Sequence, residues 1–194
     1  MESLVDLGLA FRQRRAVTAA TALEQDDDAG LALAARAGDA RAFGLLYARY
    51  ARMVHGILLG RVPTAEVEDL VQEVFLLAWR RIATLREAAA FGGWLAMIAR
   101  NRATDYHRRA GDTNELPEAL PAADSRETEA RAVLEAIKSL PEAYHEPLLL
   151  RLVEGMTGPE IAARTGLTPG SVRVNLHRGM KQLREKLGRK DSNV

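Results

Sequence analysis

Residues 157–187 constrain the fold more than any other stretch, because two helix starts, one helix stop and one apolar stripe fall there at fixed spacing. Thr157 and Glu160 stand three apart, the S/T-x-x-E arrangement in which each side chain satisfies a free amide at a helix start. Ala162 is small enough for a second helix to cross closely. Gly166 supplies the positive φ that ends a helix and turns the chain. Thr168 and Pro169 then restart it as N-cap and first helical residue. Val172, Leu176, Met180, Leu183 and Leu187 recur on one edge of the second helix, while Arg173, His177, Arg178, Lys181 and Arg184 face elsewhere. One buried edge and a cationic outer face is what docking in the DNA major groove requires. Any one of these features also suits an ordinary surface helix with a solvated charged face; their joint spacing favours a helix-turn-helix.

The rest of the chain is read around that element. It has 194 residues, 47% of them apolar and only 5% aromatic, with Ala, Leu, Arg and Glu prominent, a balance that favours helices with real cores. The formal net charge is +1, yet the charge is segregated. Basic residues collect at 100–109 and 173–190, acidic ones at 26–28 and 112–129, as expected of two basic surfaces separated by an acidic connector. There are no cysteines, which excludes disulfides and thiolate metal sites and suits a reducing cytoplasm. No apolar run approaches the roughly 20 residues of a membrane span, so no membrane insertion is expected. The first residues lack the order of a secretory signal.

Helical periodicity divides the chain into two blocks. Residues 1–28 read as a flexible extension ending in an Asp triplet, whose adjacent carboxylates point apart and suit a solvated run or a helix cap better than a cation site. From Ala29, a short Ala/Leu helix stops at Gly38. Asp39 caps a second helix carrying Phe43, Leu46, Tyr47, Tyr50, Val54, Ile57 and Leu58. Thr64 is expected to cap a third, with Val67, Leu70, Val71, Val74, Phe75 and Ala78. Residues 84–90 connect it to a fourth helix, from Phe91 to about Arg109. Residues 111–128 hold Gly111, Pro117, Pro121 and several acids without an apolar period, which reads as a linker. A second block follows over 129–190, with a break expected at Pro147. The predicted fold is all-α: two small helical domains, 29–110 and 129–190, joined by a flexible linker.

Two further groups of residues carry chemistry. Asp69, Gln72 and Glu73 lie at i, i+3 and i+4 of the third helix, away from its apolar stripe, as either a solvated face or a patch for a partner's cations. Arg100, Asn101, Arg102, His107, Arg108 and Arg109 follow Phe91 and Trp94 along the fourth helix. Cations can track phosphates and rings can stack on unpaired bases. Trp94 also fits the apolar period as a core residue, and arginines at a helix C-terminus are favoured electrostatically. Catalytic arrangements are poor. His55, His107, His145 and His177 are far apart with no acid at ligand spacing, and neither a phosphate loop nor a nucleophile elbow occurs. No enzyme activity, metal or cofactor is expected.

In this order, three segments resemble the extracytoplasmic-function (group IV) sigma factors of bacterial RNA polymerase, of the sigma-70 superfamily. They are Asp69-Leu70-Val71-Gln72-Glu73-Val74-Phe75; Phe91-Gly92-Gly93-Trp94-Leu95-Ala96-Met97-Ile98-Ala99-Arg100-Asn101; and Gly158-Pro159-Glu160-Ile161-Ala162 through Leu176-His177-Arg178. The likeness covers about 29–187. It implies a sigma domain 2 at 29–110, binding core polymerase and the minus-10 element, and a sigma domain 4 at 129–190, binding the minus-35 element. It implies polymerase binding by Asp69, Gln72 and Glu73. It places Arg86, Phe91, Trp94, Arg100, Asn101, Arg108 and Arg109 at the melted minus-10 element, where a non-template base is flipped out at a cost of a few kcal/mol. It places Ser171, Arg173, Val174, His177, Arg178 and Lys181 at the duplex minus-35 element, where an arginine forked on guanine is worth about 1–3 kcal/mol.

The chain departs from the family wording in three places. Val174-Asn175 stands where Ser-Arg is common, Gly179 replaces Ala, and 86–90 lacks the frequent Gly-Asp/Glu-Ser. The expected function is transcription initiation in the cytoplasm, on the nucleoid when active, with promoter choice and strand opening supplied by this subunit. The expected partners are core polymerase, promoter DNA and an anti-sigma factor. Two alternatives predict different partners: a stand-alone helix-turn-helix regulator that binds a palindrome without polymerase, and an interaction module whose basic faces are incidental.

Overall fold

The computed structural model describes residues 27–111 and 125–191, and these are helical with no strand among the described residues. The first block holds α1 (Asp28–Arg36), α2 (Ala40–Leu59), α3 (Val67–Arg81) and α4 (Phe91–Gly111). The second holds α5 (Ser125–Lys138), α6 (Glu142–Leu152), α7 (Gly158–Thr165) and α8 (Pro169–Asp191). α5 thus begins inside the stretch expected to link the blocks, and residues 1–26 and 112–124 lie outside the described ones.

Local chemistry accounts for the starts. Asp27 caps α1 by accepting the Ala29 amide. Asp28 instead accepts the Tyr50 hydroxyl at 2.6 Å and pairs with Arg49, so the two described acids of the run act as a cap and as an anchor onto α2. Asp39 caps α2 through the amides of Arg41 and Ala42, at 2.8 and 3.1 Å. Thr64 does not cap α3. Pro63, with φ fixed at −58°, feeds a 3-10 turn (Thr64–Glu66) without a side-chain cap bond, and the α-helix settles only at Val67.

The expected break at Pro147 is absent: Pro147 sits inside α6. It forfeits one ladder bond, a loss of about 3 kcal/mol. Burial offsets it, because Leu148, Leu149 and Leu150 next to it are fully buried, each worth about 1.5–3 kcal/mol.

Leu46, Met53, Val54, Ile57 and Leu58 of α2 are fully buried, as are Val74 of α3 and Phe91 and Leu95 of α4. The second block centres on Ile137, Leu148, Ile161 and Leu183. The two cores meet. Gly56 of α2 and Gly60, the residue that caps its end, stand one turn apart, and α6 lies on them so closely that a Cβ at Gly56 would come within 2.7 Å of Leu150 Cδ2. One at Gly60 would come within 2.8 Å of Leu149 Cδ1. Gly179 of α8 is explained the same way, since a Cβ there would lie 3.0 Å from Leu148 Cδ1. Close packing onto α6 offsets the helix-propensity loss of about 1 kcal/mol.

Candidate nucleic-acid interface

The helix-turn-helix forms as its sequence predicts. The Thr157 amide donates to Glu160 Oε2 at 2.7 Å, and the Glu160 amide donates to Thr157 Oγ1 at 3.4 Å, closing the capping box. The Thr157 backbone amide holds the Glu160 carboxyl below its usual range, with help from the Thr157 hydroxyl. Gly166 turns the chain at φ +74°. The Ser171 amide donates to Thr168 Oγ1 at 3.1 Å, capping α8, and the Thr168 hydroxyl donates to Ser171 Oγ at 2.8 Å. Val172 and Leu183 are buried, and Leu176, Met180 and Leu187 pack partly against the core. Ser171, Arg173, Val174, His177, Arg178 and Lys181 are all exposed. The six expected duplex-facing residues therefore share the open side of α8.

The fourth-helix set is divided. Phe91 is fully buried, its ring 5.2 Å from that of Tyr50 and 5.8 Å from that of Trp94. It belongs to the core stripe with Leu95 and Ala99, so it supports the helix start and is not available to stack on a base as expected. Trp94 is half-buried against the core. Arg86, Asn101, Arg108 and Arg109 are exposed, with Arg108 paired to Asp105 at 2.9 Å.

Arg100 reaches into the second block. Its Nε and Nη2 donate to the two carboxylate oxygens of Glu146 at 3.1 and 2.7 Å, and Nη2 also donates to the Thr165 carbonyl at 3.1 Å. Arg61, from the turn after α2, places Nη2 3.0 Å from Glu146 Oε2. Glu146 is only 4% exposed, so one buried carboxylate of α6 is held between two cations of the first block.

Other contacts join the same faces. Glu154 accepts from Arg52 Nε at 3.3 Å and lies 2.6 Å from His55 Nδ1. Arg164 of α7 lies over the Tyr50 ring and donates to the Arg49 carbonyl. Burial, then the Asp28 hydrogen bond, raises the Tyr50 hydroxyl above its ordinary pKa. Lys138 donates to the Val62 carbonyl at 3.1 Å, and burial lowers its pKa.

Asp69, Gln72 and Glu73 are exposed along α3 as the spacing predicts. Glu73 is engaged within the chain: Arg102 Nε donates to its Oε2 at 2.7 Å, and Arg102 Nη2 reaches the same oxygen. Gln72 borders a groove of about 420 Å³ walled by Phe43, Tyr47, Phe75, Leu76 and Trp79, and Leu76 is 56% exposed. Among the described residues no three His, Asp or Glu side chains group to hold a metal, and no helix is long and apolar enough to cross a membrane.

Sequence reasoning missed Arg61, Glu146, Glu154 and Arg164. Two signals were present: a lone acid entering the apolar run at 146–150, and two glycines four apart in a long apolar helix.

Two helical blocks, the second ending in a cationic helix-turn-helix, define a DNA-binding helical protein, and comparison with known proteins specifies which. The Sigma-70 region 2 family matches residues 46–113, and the Sigma-70, region 4 family matches residues 130–183. RNA polymerase sigma factor CarQ of Myxococcus xanthus is 38% identical over 162 residues, covering 79% of this chain and 93% of that protein. The ECF RNA polymerase sigma-E factor of Haemophilus influenzae is 32% identical over 183 residues, covering 84% and 97%. The solved structure of CnrH in complex with the cytosolic domain of CnrY aligns with a TM-score of 0.63 at 27% identity, over 87% of this chain and all of that one (100%). The chain belongs to the extracytoplasmic-function sigma factors of RNA polymerase, within the sigma-70 family. Its function is accordingly transcription initiation with core polymerase at promoters, a role in which sigma factors themselves are generally not catalysts.

Proposed function

We propose that the two blocks are sigma domains 2 (29–110) and 4 (129–190), and that each performs one recognition task. Asp69 and Gln72, with the apolar groove beside them, dock on core polymerase. Glu73 contributes once its bond to Arg102 is exchanged for a partner cation. Arg86, Trp94, Arg100, Asn101, Arg108 and Arg109 follow the melted minus-10 strand, with phosphate contacts from the arginines. The exposed row on α8 enters the major groove of the minus-35 element. There Arg173 or Arg178 forks onto guanine and Val174 offers an apolar contact to a thymine methyl.

The observation that carries this reading is the open face of α8, whose six candidate residues are solvent-facing on a helix packed against the core on its other side. Polymerase supplies the chemistry; this subunit supplies promoter choice in the cytoplasm, at the nucleoid when active. A partner that holds the two domains is also part of the proposal. It is supported by the alignment with CnrH, which was solved with the cytosolic domain of CnrY.

Simultaneous use of both elements requires the domains to part. The element names differ by about 25 base pairs, or roughly 85 Å at about 3.4 Å each. A compact chain of this length is only about 40 Å across.

Reconstitution tests the reading. The chain is expected to co-migrate with core polymerase and to start RNA synthesis from members of a genomic promoter library. Asp69→Ala with Gln72→Ala is expected to weaken co-migration at least tenfold, a loss of about 1.4 kcal/mol. Unchanged affinity in that variant removes the docking assignment.

A further inference from the structure

The two-cation site around Glu146 does more than join the blocks. We infer that Arg61 and Arg100 form an anion clamp on the first block that takes a backbone phosphate of single-stranded DNA, and that Glu146 of α6 fills it in the closed form as an internal stand-in. This rests on the proposed nucleic-acid role of α4 and names the site through which the closed form blocks it.

The geometry is that of phosphate recognition. Arg100 presents two donors to the two carboxylate oxygens at 3.1 and 2.7 Å, and Arg61 adds a third contact at 3.0 Å. Arginine forks grip carboxylate and phosphate oxygens alike, because both present paired anionic acceptors at similar spacing. Arg61 is oriented from within its own block by donating to the Ile57 carbonyl at 3.1 Å, so this half of the clamp has a support besides Glu146, while Arg100 is bonded to Glu146 and the Thr165 carbonyl. Two positive groups facing one negative group leave an excess positive charge, which suits an anion carrying more acceptor oxygens than a carboxylate.

Glu146 reaches the clamp only because α6 lies directly on Gly56 of α2 and on Gly60 at its C-cap. Withdrawing α6 empties the site and leaves two nearby arginines with no buried acid between them. The two occupants are therefore mutually exclusive: carboxylate with the domains together, phosphate with them apart.

The test uses the full chain and a fluorescein-labelled single-stranded DNA of mixed sequence, without polymerase. Glu146→Gln keeps the shape and removes the charge. Gly56→Leu wedges α6 away and keeps all three charged groups. Opening is read by energy transfer between dyes at Leu33→Cys and Lys186→Cys, which label uniquely because the chain has no cysteine of its own.

Both variants are expected to lose energy transfer and to bind the strand several-fold more tightly. Their log-affinity against log-salt slope is expected to steepen by about 0.7, the value for one added phosphate contact on a single strand. Adding Arg61→Ala to either variant is expected to erase the gain and the slope change while leaving the domains apart. Two results overturn the clamp: open domains with unchanged affinity, or a gain that survives Arg61→Ala. Co-migration of Glu146→Gln with core polymerase is measured in parallel. A phosphate gain without polymerase binding upholds the clamp and removes the initiation-factor reading. Polymerase binding without the gain does the reverse.

Discussion

Helices α4 and α8 are both long and arginine-bearing, yet they meet solvent differently. α8 buries Val172 and Leu183 and leaves Arg173, His177, Arg178 and Lys181 outward. α4 buries Phe91, Leu95 and Ala99 and lays the face carrying Arg100 against α6 and α7, where Glu146 and the Thr165 carbonyl occupy that arginine. A cationic sequence therefore describes capacity, and packing decides which part of it is available. One cationic face is open; the other is partly covered by the block that carries the first.

Five substitutions sharpen or break that contrast. Phe91→Ala is expected to have the largest effect, about 3–5 kcal/mol of stability in chemical denaturation, because it empties a fully buried ring site. A loss near zero would mean that Phe91 is exposed in solution and that the covered face is misassigned. Next, Arg178→Ala is expected to weaken minus-35 duplex binding by about 1–3 kcal/mol, whereas Arg100→Ala leaves minus-35 duplex binding unchanged. Equal losses in gel-shift titrations would erase the distinction between the helices.

Arg173→Ala is expected to alter preference at one upstream base pair, again within about 1–3 kcal/mol. A uniform loss over all sequences in a binding selection would instead mark a phosphate contact. The smallest effect belongs to the α7 start. Thr157→Ala should lower the midpoint of thermal unfolding by the equivalent of about 1 kcal/mol.

The same cap sets a pH dependence. The folded Glu160 carboxyl titrates below its ordinary value of 4.5, so its contribution is full above that pH and fades as pH falls through the depressed folded value. Thr157→Ala should flatten that acid limb of the stability curve. An unaltered limb would show that the cap is unimportant.

Local signals accounted for most of the architecture. The Thr157/Glu160 box, the Gly166 turn and the Asp39 cap are short-range chemistry, each decided within four residues, and each formed as read. Pro147 was misread because its local cost is real but smaller than the burial of the leucines beside it. Thr64 was misread because Pro63 drives a tighter turn first.

The candidate site divides the same way. The outward row of α8 follows from helical periodicity, which fixes the opposite face once the stripe is known. The contacts of Arg100 and Arg61 with Glu146 do not, because they join residues 46 or more positions apart through a helix crossing that no local pattern specifies. Phe91 shows the opposite failure: the family resemblance places it at the minus-10 element, and the packed fold turns its ring inward.

The turn at Gly166 has one more consequence. Its positive φ of +74° already excludes most side chains, and its Cα also abuts Gly93 of α4, where an added Cβ on Gly166 would lie 3.3 Å away. Gly93 has no such backbone demand; only the facing turn limits it, at 3.5 Å. In a saturation library of the whole chain both sites should reject bulky replacements. In a truncated fragment ending before the second block, tolerance should return at Gly93, while the isolated second block should still refuse change at Gly166.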